Sequence, residues 1–238
     1  MRLSIIIITY QGANLLNDCL DSIRPCFSDP ETEVIVVDNG STDGTSELVK
    51  ERFPQVRLHI LPKNMGVAFA RNRGIEQTSG QYILLLDNDT IASAEAIQKL
   101  VTWLENHPEC GICGCALIGL DGEVQESFKP FPGLRSKLRH ILNLGENNSE
   151  EKIYLIGACQ LFRRTLIQEI GLLNEKIFYG PEDADFCIRA RKAGYSIQYL
   201  PEISIKHHWQ RASRKRFSLT IKHITALLRF YFTHRRFW

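Results

Sequence analysis

The 238 residues, 44% hydrophobic and 24% charged with a net charge of +2, suit one large globular α/β domain, or one domain with an appendage. No apolar run approaches the roughly 20 residues that span a bilayer, and Met1-Arg2-Leu3-Ser4 enters a strand with no signal-peptide h-region, so a cytoplasmic location is expected. Charge is unevenly placed: residues 201–238 carry nine Lys/Arg against Glu202, or +8, which leaves −6 on residues 1–200.

The first half alternates strand and helix patterns. Leu3 to Thr9 is a continuous apolar run, as expected for a strand covered on both faces. Leu16, Cys19, Leu20 and Ile23 then recur at helical spacing. Val34 to Val37 predicts a second buried strand ending on Asp38, and the turn cluster Asn39 to Gly44 leads into a helix toward Arg52, capped by Asp43 or Thr45. Val56 to Leu61 predicts a third, shorter strand, Gly66 to Gln77 a helix, and Tyr82 to Leu86 a fourth buried strand that stops on Asp87. Ser93 to Glu105 is amphipathic through Ile97, Leu100, Val101 and Leu104. Such alternation predicts a mostly parallel sheet flanked by helices, with ligands bound beyond the carboxyl ends of the strands, where Asp38 and Asp87 both stand.

The second half is less regular. Phe128 to Asn148, with Pro130, Pro132 and Gly133, predicts a mobile loop; Ile153 to Phe162 predicts a strand interrupted at Gly157. Thr165 to Ile170 reads as a short helix closed by Gly171. Glu182-Asp183-Ala184-Asp185 opens a helix through Lys192, with acids at the positive end of its dipole. Two strands, Ser196 to Leu200 and Ile203 to Lys206, lead to His207-His208. The cysteines (Cys19, Cys26, Cys110, Cys113, Cys115, Cys159 and Cys187) are odd in number and scattered, which fits a reducing compartment. Cys110-x-x-Cys113-x-Cys115 has no second Cys/His pair at finger-like spacing and reads as buried small hydrophobes rather than zinc ligands.

Asp87-Asn88-Asp89 carries the first chemical signal. Two carboxylates at i and i+2, where a strand frays into a turn, can face one side and hold a hard divalent cation with sites left for phosphate oxygens; turn formation alone also favours these residues. Asp38 can accept from a base N–H or a ribose hydroxyl. Arg71 can approach a diphosphate, or lie on a solvated helix face. The loop Tyr10-Gln11-Gly12-Ala13-Asn14 lacks G-x-G-x-x-G, and no G-x-x-x-x-G-K-[ST] occurs, which disfavours dinucleotide oxidoreductases and P-loop enzymes. Asp183, near Phe178 and Tyr179, is placed to serve as a general base or else to pair with Arg189 or Arg191. His207 and His208 read as site residues or as a satisfied cluster beside Trp209.

Taken in order, Ser4-Ile5-Ile6-Ile7-Ile8-Thr9-Tyr10, Val36-Val37-Asp38-Asn39-Gly40-Ser41-Thr42-Asp43-Gly44, Asn64-Met65-Gly66-Val67-Ala68-Phe69-Ala70-Arg71-Asn72, Leu86-Asp87-Asn88-Asp89 and Phe178-Tyr179-Gly180-Pro181-Glu182-Asp183-Ala184-Asp185-Phe186 resemble the family 2 glycosyltransferases over residues 3–208. Among subgroups the chain is most similar to bacterial rhamnosyltransferase-like enzymes. The resemblance implies a GT-A fold over 1–208, with a nucleotide-sugar-binding half (1–105) and an acceptor-binding half (106–208), an inverting reaction, and Mg²⁺ or Mn²⁺. It places Thr9, Tyr10 and Asp38 at the nucleoside, Asn64, Gly66 and Arg71 near it or the diphosphate, and Asp87 at ribose and metal. Asp89 is then the principal metal ligand, His207 completes the metal or phosphate site, and Asp183 is the base with Glu182 the second candidate. The implied partners are a dTDP-, UDP- or GDP-linked sugar and a saccharide or lipid-linked acceptor. Asn174 stands where the family often has Asp, a position expected to be structural.

Two rival readings are weaker on the residues. A sugar-nucleotide pyrophosphorylase wants a Gly-rich basic loop after the first strand, and a non-catalytic binding module predicts a lost acid. In the 209–238 segment, Phe217, Ile221, Ile224, Leu228 and Tyr231 fall on one helical face with Lys222, Arg229, Arg235 and Arg236 around it. This basic amphipathic helix suits an anionic membrane surface, at the inner face of the cell membrane, or packing against the domain; no nucleic-acid motif accompanies the charge.

Overall fold

The isoleucine run forms β1 (Leu3–Thr9), which pairs in parallel with β2 (Thr32–Asp38) and β4 (Tyr82–Asp87). The structure, a computed structural model, describes residues 1–131, 153–208 and 217–234, with side chains from 225 onward in the last of these. Ile5 and Ile7 point into a core shared with Leu16, Leu20, Leu100 and Leu104, whereas Ile6 points the other way, toward Ala68, Ile75 and Phe186. Both faces are covered, so no polar alternation is required of this strand.

The helices of the first half are α1 (Ala13–Ser22), α2 (Thr45–Arg52), α3 (Val67–Glu76) and α4 (Ala94–Glu105), with a 3₁₀ turn at Arg24–Ser28. Ser93 caps α4 by accepting from the Ala96 N–H at 3.1 Å. At α2 the cap position is Gly44, and Asp43 serves the Thr45 N–H from one residue further back. The strands β3 (Arg57–Ile60) and β5 (Thr90–Ile91) complete this half.

Beyond α4 run β6 (Cys110–Ile118), β7 (Val124–Gln125), β8 (Phe128–Pro130), β9 (Ile153–Leu155), β10 (Cys159–Arg163), α5 (Arg164–Ile170), α6 (Glu182–Lys192), β11 (Ser196–His207) and α7 (Phe217–His234). The main sheet runs β3-β2-β1-β4-β10-β6-β11-β5, with β7 on β6, and β8 pairs with β9 in a small second sheet. As expected, the main sheet is mostly parallel, with β3, β2, β1, β4, β6 and β11 running one way and β10 entering antiparallel between β4 and β6.

Several predicted elements change form. The strand expected over Ile153 to Phe162, interrupted at Gly157, divides there as expected, but its two parts join different sheets. The two strands expected between Ser196 and Lys206 are one, with a register shift between Leu200 and Ser204. The loop expected from Phe128 begins as β8, and its residues from 132 onward lie outside the described ones. All seven cysteines are buried and free, with Cys110, Cys113 and Cys115 inside β6.

Of the apolar face predicted for the C-terminal helix, Tyr231 packs against the core while Leu228 does not. Ala226, Phe230 and His234 are buried at four-residue spacing, while Leu228 is 56% and Phe232 74% exposed. Phe217, Ile221 and Ile224 have side chains outside the described residues. The docking surface decides the face: His234 Nε2 donates to Asp185 on α6 at 2.8 Å, and both residues are buried. Lys192 Nζ, which can only donate, meets His234 Nδ1 at 3.3 Å. Among the described residues no helix is long and apolar enough to cross a membrane.

Burial works against the Asp185 charge, but His234 and Arg189 overcome it and hold the carboxyl below its usual range. A depressed carboxyl stabilises the fold above its unfolded pKa of about 3.9 and loses that contribution as pH falls through the folded value. His234→Ala is expected to cost about 1–3 kcal/mol at neutral pH in urea unfolding, with the difference from wild type shrinking in acid. An unchanged urea midpoint counts against the latch.

Candidate active site

Parallel register brings three strand ends level. Thr9 pairs with Asp38 across β1 and β2, and Ile8 pairs with Asp87 across β1 and β4. The carboxylates therefore emerge on the edge where ligands bind in open α/β sheets. Asn88 turns from its neighbours and donates to Thr9 Oγ1 at 3.0 Å. Asp87 and Asp89 are left to face the opposite way.

Antiparallel pairing of β11 with β5 sets His207 opposite Thr90, and the His208 N–H donates to Asp89 O at 2.7 Å. His207 Nε2 then lies 3.4 Å from Asp89 Oδ1. One ligand atom from each of Asp87, Asp89 and His207 falls within 4.8 Å of the others. Two carboxylates and an imidazole form a donor set suited to a divalent cation, so the residues fit the predicted metal. Burial disfavours the His207 cation, yet Asp89 more than offsets it and the imidazole pKa is raised.

Arg71 differs from its sequence reading, on a solvated face or reaching for a diphosphate. It is 3% exposed. Its Nη2 donates to Asp87 Oδ1 at 2.7 Å and to Gly157 O at 2.8 Å, and Nη1 lies 3.7 Å from Glu182 Oε1. It braces the carboxylates from beneath. Burial pushes the Asp87 carboxyl up, Arg71 opposes the rise and the Asp89 charge adds to it, leaving the pKa raised. Glu182, buried beside Asp183, is pushed up to about 7.

Asp183 opens α6 and lines one cleft with Gln125, Glu126, Lys129, Tyr154, Ile156 and His207. Its oxygens accept from the Ala184 N–H at 2.7 Å and the Gly157 N–H at 3.3 Å. Burial raises its pKa, and those N–H groups and Arg71 partly counter the rise. Arg189 pairs with Asp185 at 2.9 Å instead. Glu182 is 7% exposed and does not line the cleft.

The predicted nucleoside residues form a tied loop cluster. Asp38 is fully buried, accepting from the Ser41 N–H at 2.8 Å and from the Ser46 hydroxyl. Asn64 Oδ1 accepts from the Gly66 N–H at 3.0 Å and from Asn39 at 3.2 Å. Gly66 has φ +97, and a Cβ there would stand 2.7 Å from Phe178 O, so only glycine admits the Phe178 segment at this distance. Tyr10 is 41% exposed, open at the rim. Asn174 makes a turn, accepting from the Lys176 N–H at 3.2 Å, in line with its expected structural role.

Sequence reasoning missed Gln125, which holds His207, and Asn72, which clamps Leu173 through paired backbone bonds of 2.9 and 3.0 Å. Asn72 stood within the quoted Ala70-Arg71-Asn72 motif, where a buried polar residue between apolar helix positions was the available signal. Gln125 carries no such signal.

Residues 4–171 match the family model described as glycosyl transferase family 2. The chain is 28% identical over 233 residues to the N-acetylglucosaminyl-diphospho-decaprenol L-rhamnosyltransferase of Mycobacterium tuberculosis, covering 87% of this chain and 76% of that protein. It is 32% identical over 256 residues to the uncharacterized glycosyltransferase YfnE of Bacillus subtilis, covering 87% of this chain and 64% of the relative. Among solved structures it is similar to the mannosyltransferase PcManGT from Pyrobaculum calidifontis in complex with GDP-Man and Mn²⁺, with a TM-score of 0.70 and 23% identity. That match covers 99% of this chain and 64% of the mannosyltransferase, so this chain spans just under two thirds of its length. S. aureus TarS 1–349 in complex with UDP-GlcNAc gives a TM-score of 0.65 at 21% identity, over 91% of this chain and 62% of that one. At these identities the likeness shows the GT-A fold.

Removing Arg71 leaves the half-buried Asp87 and the buried Glu182 without their shared cation. Arg71→Leu is expected to cost about 3–5 kcal/mol, and adding Glu182→Gln should return part of it. Guanidinium unfolding of both variants checks this; an undiminished midpoint in Arg71→Leu contradicts the bracing role.

Proposed function

The chain belongs to glycosyl transferase family 2, and from that premise we propose that it moves a sugar, with inversion, from a dTDP-, UDP- or GDP-linked donor to a hydroxyl of a saccharide or lipid-linked acceptor in cell-surface polysaccharide assembly. One observation carries the reading: a single cleft is lined by both Asp183 and His207, so the base and the metal site border the same space. The names of relatives and neighbours support the substrate classes, with GDP-Man and UDP-GlcNAc in solved complexes and a diphospho-decaprenol acceptor in the mycobacterial protein's name.

In this mechanism Asp89, Asp87 and His207 would hold Mn²⁺ or Mg²⁺. A bound cation supplies positive charge toward the departing diphosphate. Tyr10, Thr9, Asp38, Asn64 and Gly66 shape the nucleoside end, and Arg71 acts there only through Asp87. Asp183 takes the acceptor hydroxyl's proton as that oxygen bonds to the anomeric carbon. The bond from that carbon to the diphosphate oxygen breaks on the opposite face, and the nucleoside diphosphate leaves with the electron pair. Asp183 is preferred to Glu182 because it borders the cleft, whereas Glu182 is buried against Arg71.

A panel of nucleotide sugars, assayed for hydrolysis and transfer with and without Mn²⁺, tests the scheme. Asp183→Asn is expected to abolish transfer while leaving donor binding near normal, and Asp89→Ala to abolish metal-dependent turnover. Turnover indifferent to chelator and to Asp89→Ala would falsify the metal mechanism; activity retained in Asp183→Asn points to Glu182.

The exposed Leu228 and Phe232 and the basic charge of 217–238 support docking at an anionic membrane surface carrying a lipid-linked acceptor. Co-sedimentation with anionic liposomes is expected to fall in Leu228→Glu/Phe232→Glu; equal binding by wild type and variant, or none by either, contradicts it.

A further inference from the structure

We propose that Gln125 is a positioning residue for the metal site: it locks the His207 imidazole in the tautomer whose Nε2 lone pair faces Asp89. The inference rests on the reading of Asp87, Asp89 and His207 as metal ligands, and adds a residue that makes no contact with the cation itself.

The amide of Gln125 meets His207 twice. Its Nε2 donates to the His207 backbone oxygen at 3.1 Å, and its Oε1 lies 2.8 Å from His207 Nδ1. These contacts fix each other chemically. A backbone carbonyl accepts and never donates, so the amide NH₂ must be the end that faces it. The oxygen end is then turned to the ring, and only an N–H can meet it there. Nδ1 therefore carries hydrogen, and the neutral ring is left with a bare Nε2, 3.4 Å from Asp89 Oδ1. An outer N–H anchored on a carbonyl is how a ligating imidazole is commonly held, fixing its tautomer and ring orientation.

The route between the residues is built for this contact. Gln125 pairs with Leu117 across β7 and β6, while β11 lies on β6 at Ile205 and Lys206. To reach His207 the Gln125 side chain passes the end of β6 at Gly119, where a Cβ would stand 3.1 Å from Gln125 Nε2. His207 is 7% exposed, which leaves little room for water to replace the amide. Without Gln125 the ring is free to place its hydrogen on Nε2. It would then donate to Asp89, and each ligand would occupy the other.

Two substitutions separate this role from simple tethering of β7 to β11. Gln125→Leu removes both contacts. Gln125→Glu retains an acceptor for Nδ1–H but loses the donor to the His207 backbone. Binding of Mn²⁺ alone to the full chain, followed by the paramagnetic resonance of the free ion, should weaken about 10–100-fold in Gln125→Leu and stay near wild type in Gln125→Glu. Equal weakening in both variants overturns the proposal, because a tether is lost in either. If wild type and Asp89→Ala bind Mn²⁺ alike, or neither binds, the metal site itself is what fails. The tautomer is read without metal, at a pH above the titration of the ring: ¹⁵N–¹H correlation of the histidine side chains should then show a protonated Nδ1 and a bare Nε2 at His207. Hydrogen on Nε2 of the neutral ring overturns the assignment outright.

Discussion

A buried guanidinium is tolerable only where the groups around it answer its charge, and Arg71 meets that condition with three elements at once. Asp87 comes from the end of β4, Glu182 from the start of α6, and Gly157 O from the bend between β9 and β10. The same bend is bound on both sides: the Asp87 N–H donates to Ala158 O, and the Gly157 N–H donates to Asp183. The spacing between the metal-facing acids and the proposed base therefore follows from where one cation can sit. Moving any of the three elements breaks an interaction with this buried cation.

The acids of α6 show how neighbouring carboxyls take different work from their surroundings. Glu182 answers Arg71 from inside the domain, and burial beside Asp183 pushes it up to about 7. Asp183 faces the cleft. Asp185 points to the far side of the helix, where Arg189 and His234 hold it ionised and tie α7 to the domain. Three acids within four residues thus meet a buried cation, a cleft and the C-terminal helix.

What the sequence revealed depended on whether its signal was local. β1, β2 and β4 were readable because strands covered on both faces are nearly all Ile, Val and Leu, and Asp38 and Asp87 stood out as the polar residues ending such runs. β6 went unread because Cys110-Gly111-Ile112-Cys113-Gly114-Cys115 mixes glycine with cysteine and invites a metal motif before a strand. The antiparallel entry of β10 was hidden because its partners, β4 and β6, lie far away in the chain. His207 was found through its place in a family motif. Gln125, in a two-residue strand, acquires its role only when β6 and β7 pair. The buried side of α7 was only partly legible for a related reason: periodicity shows that a helix has an apolar side, but the partner selects which residues are covered.

The antiparallel strand β10 has a mechanical consequence. It is hydrogen-bonded to β4 on one edge and to β6 on the other, so the strands of the first and second halves of the chain belong to one continuous sheet. An enzyme made of two lobes can open like a clam about a linker, admitting substrate and releasing product through a swing of whole domains. A sheet stitched through β10 has no such linker at that seam, and opening it would mean breaking ladder bonds in the core. Motion at this cleft therefore falls to the segments around its rim rather than to the sheet.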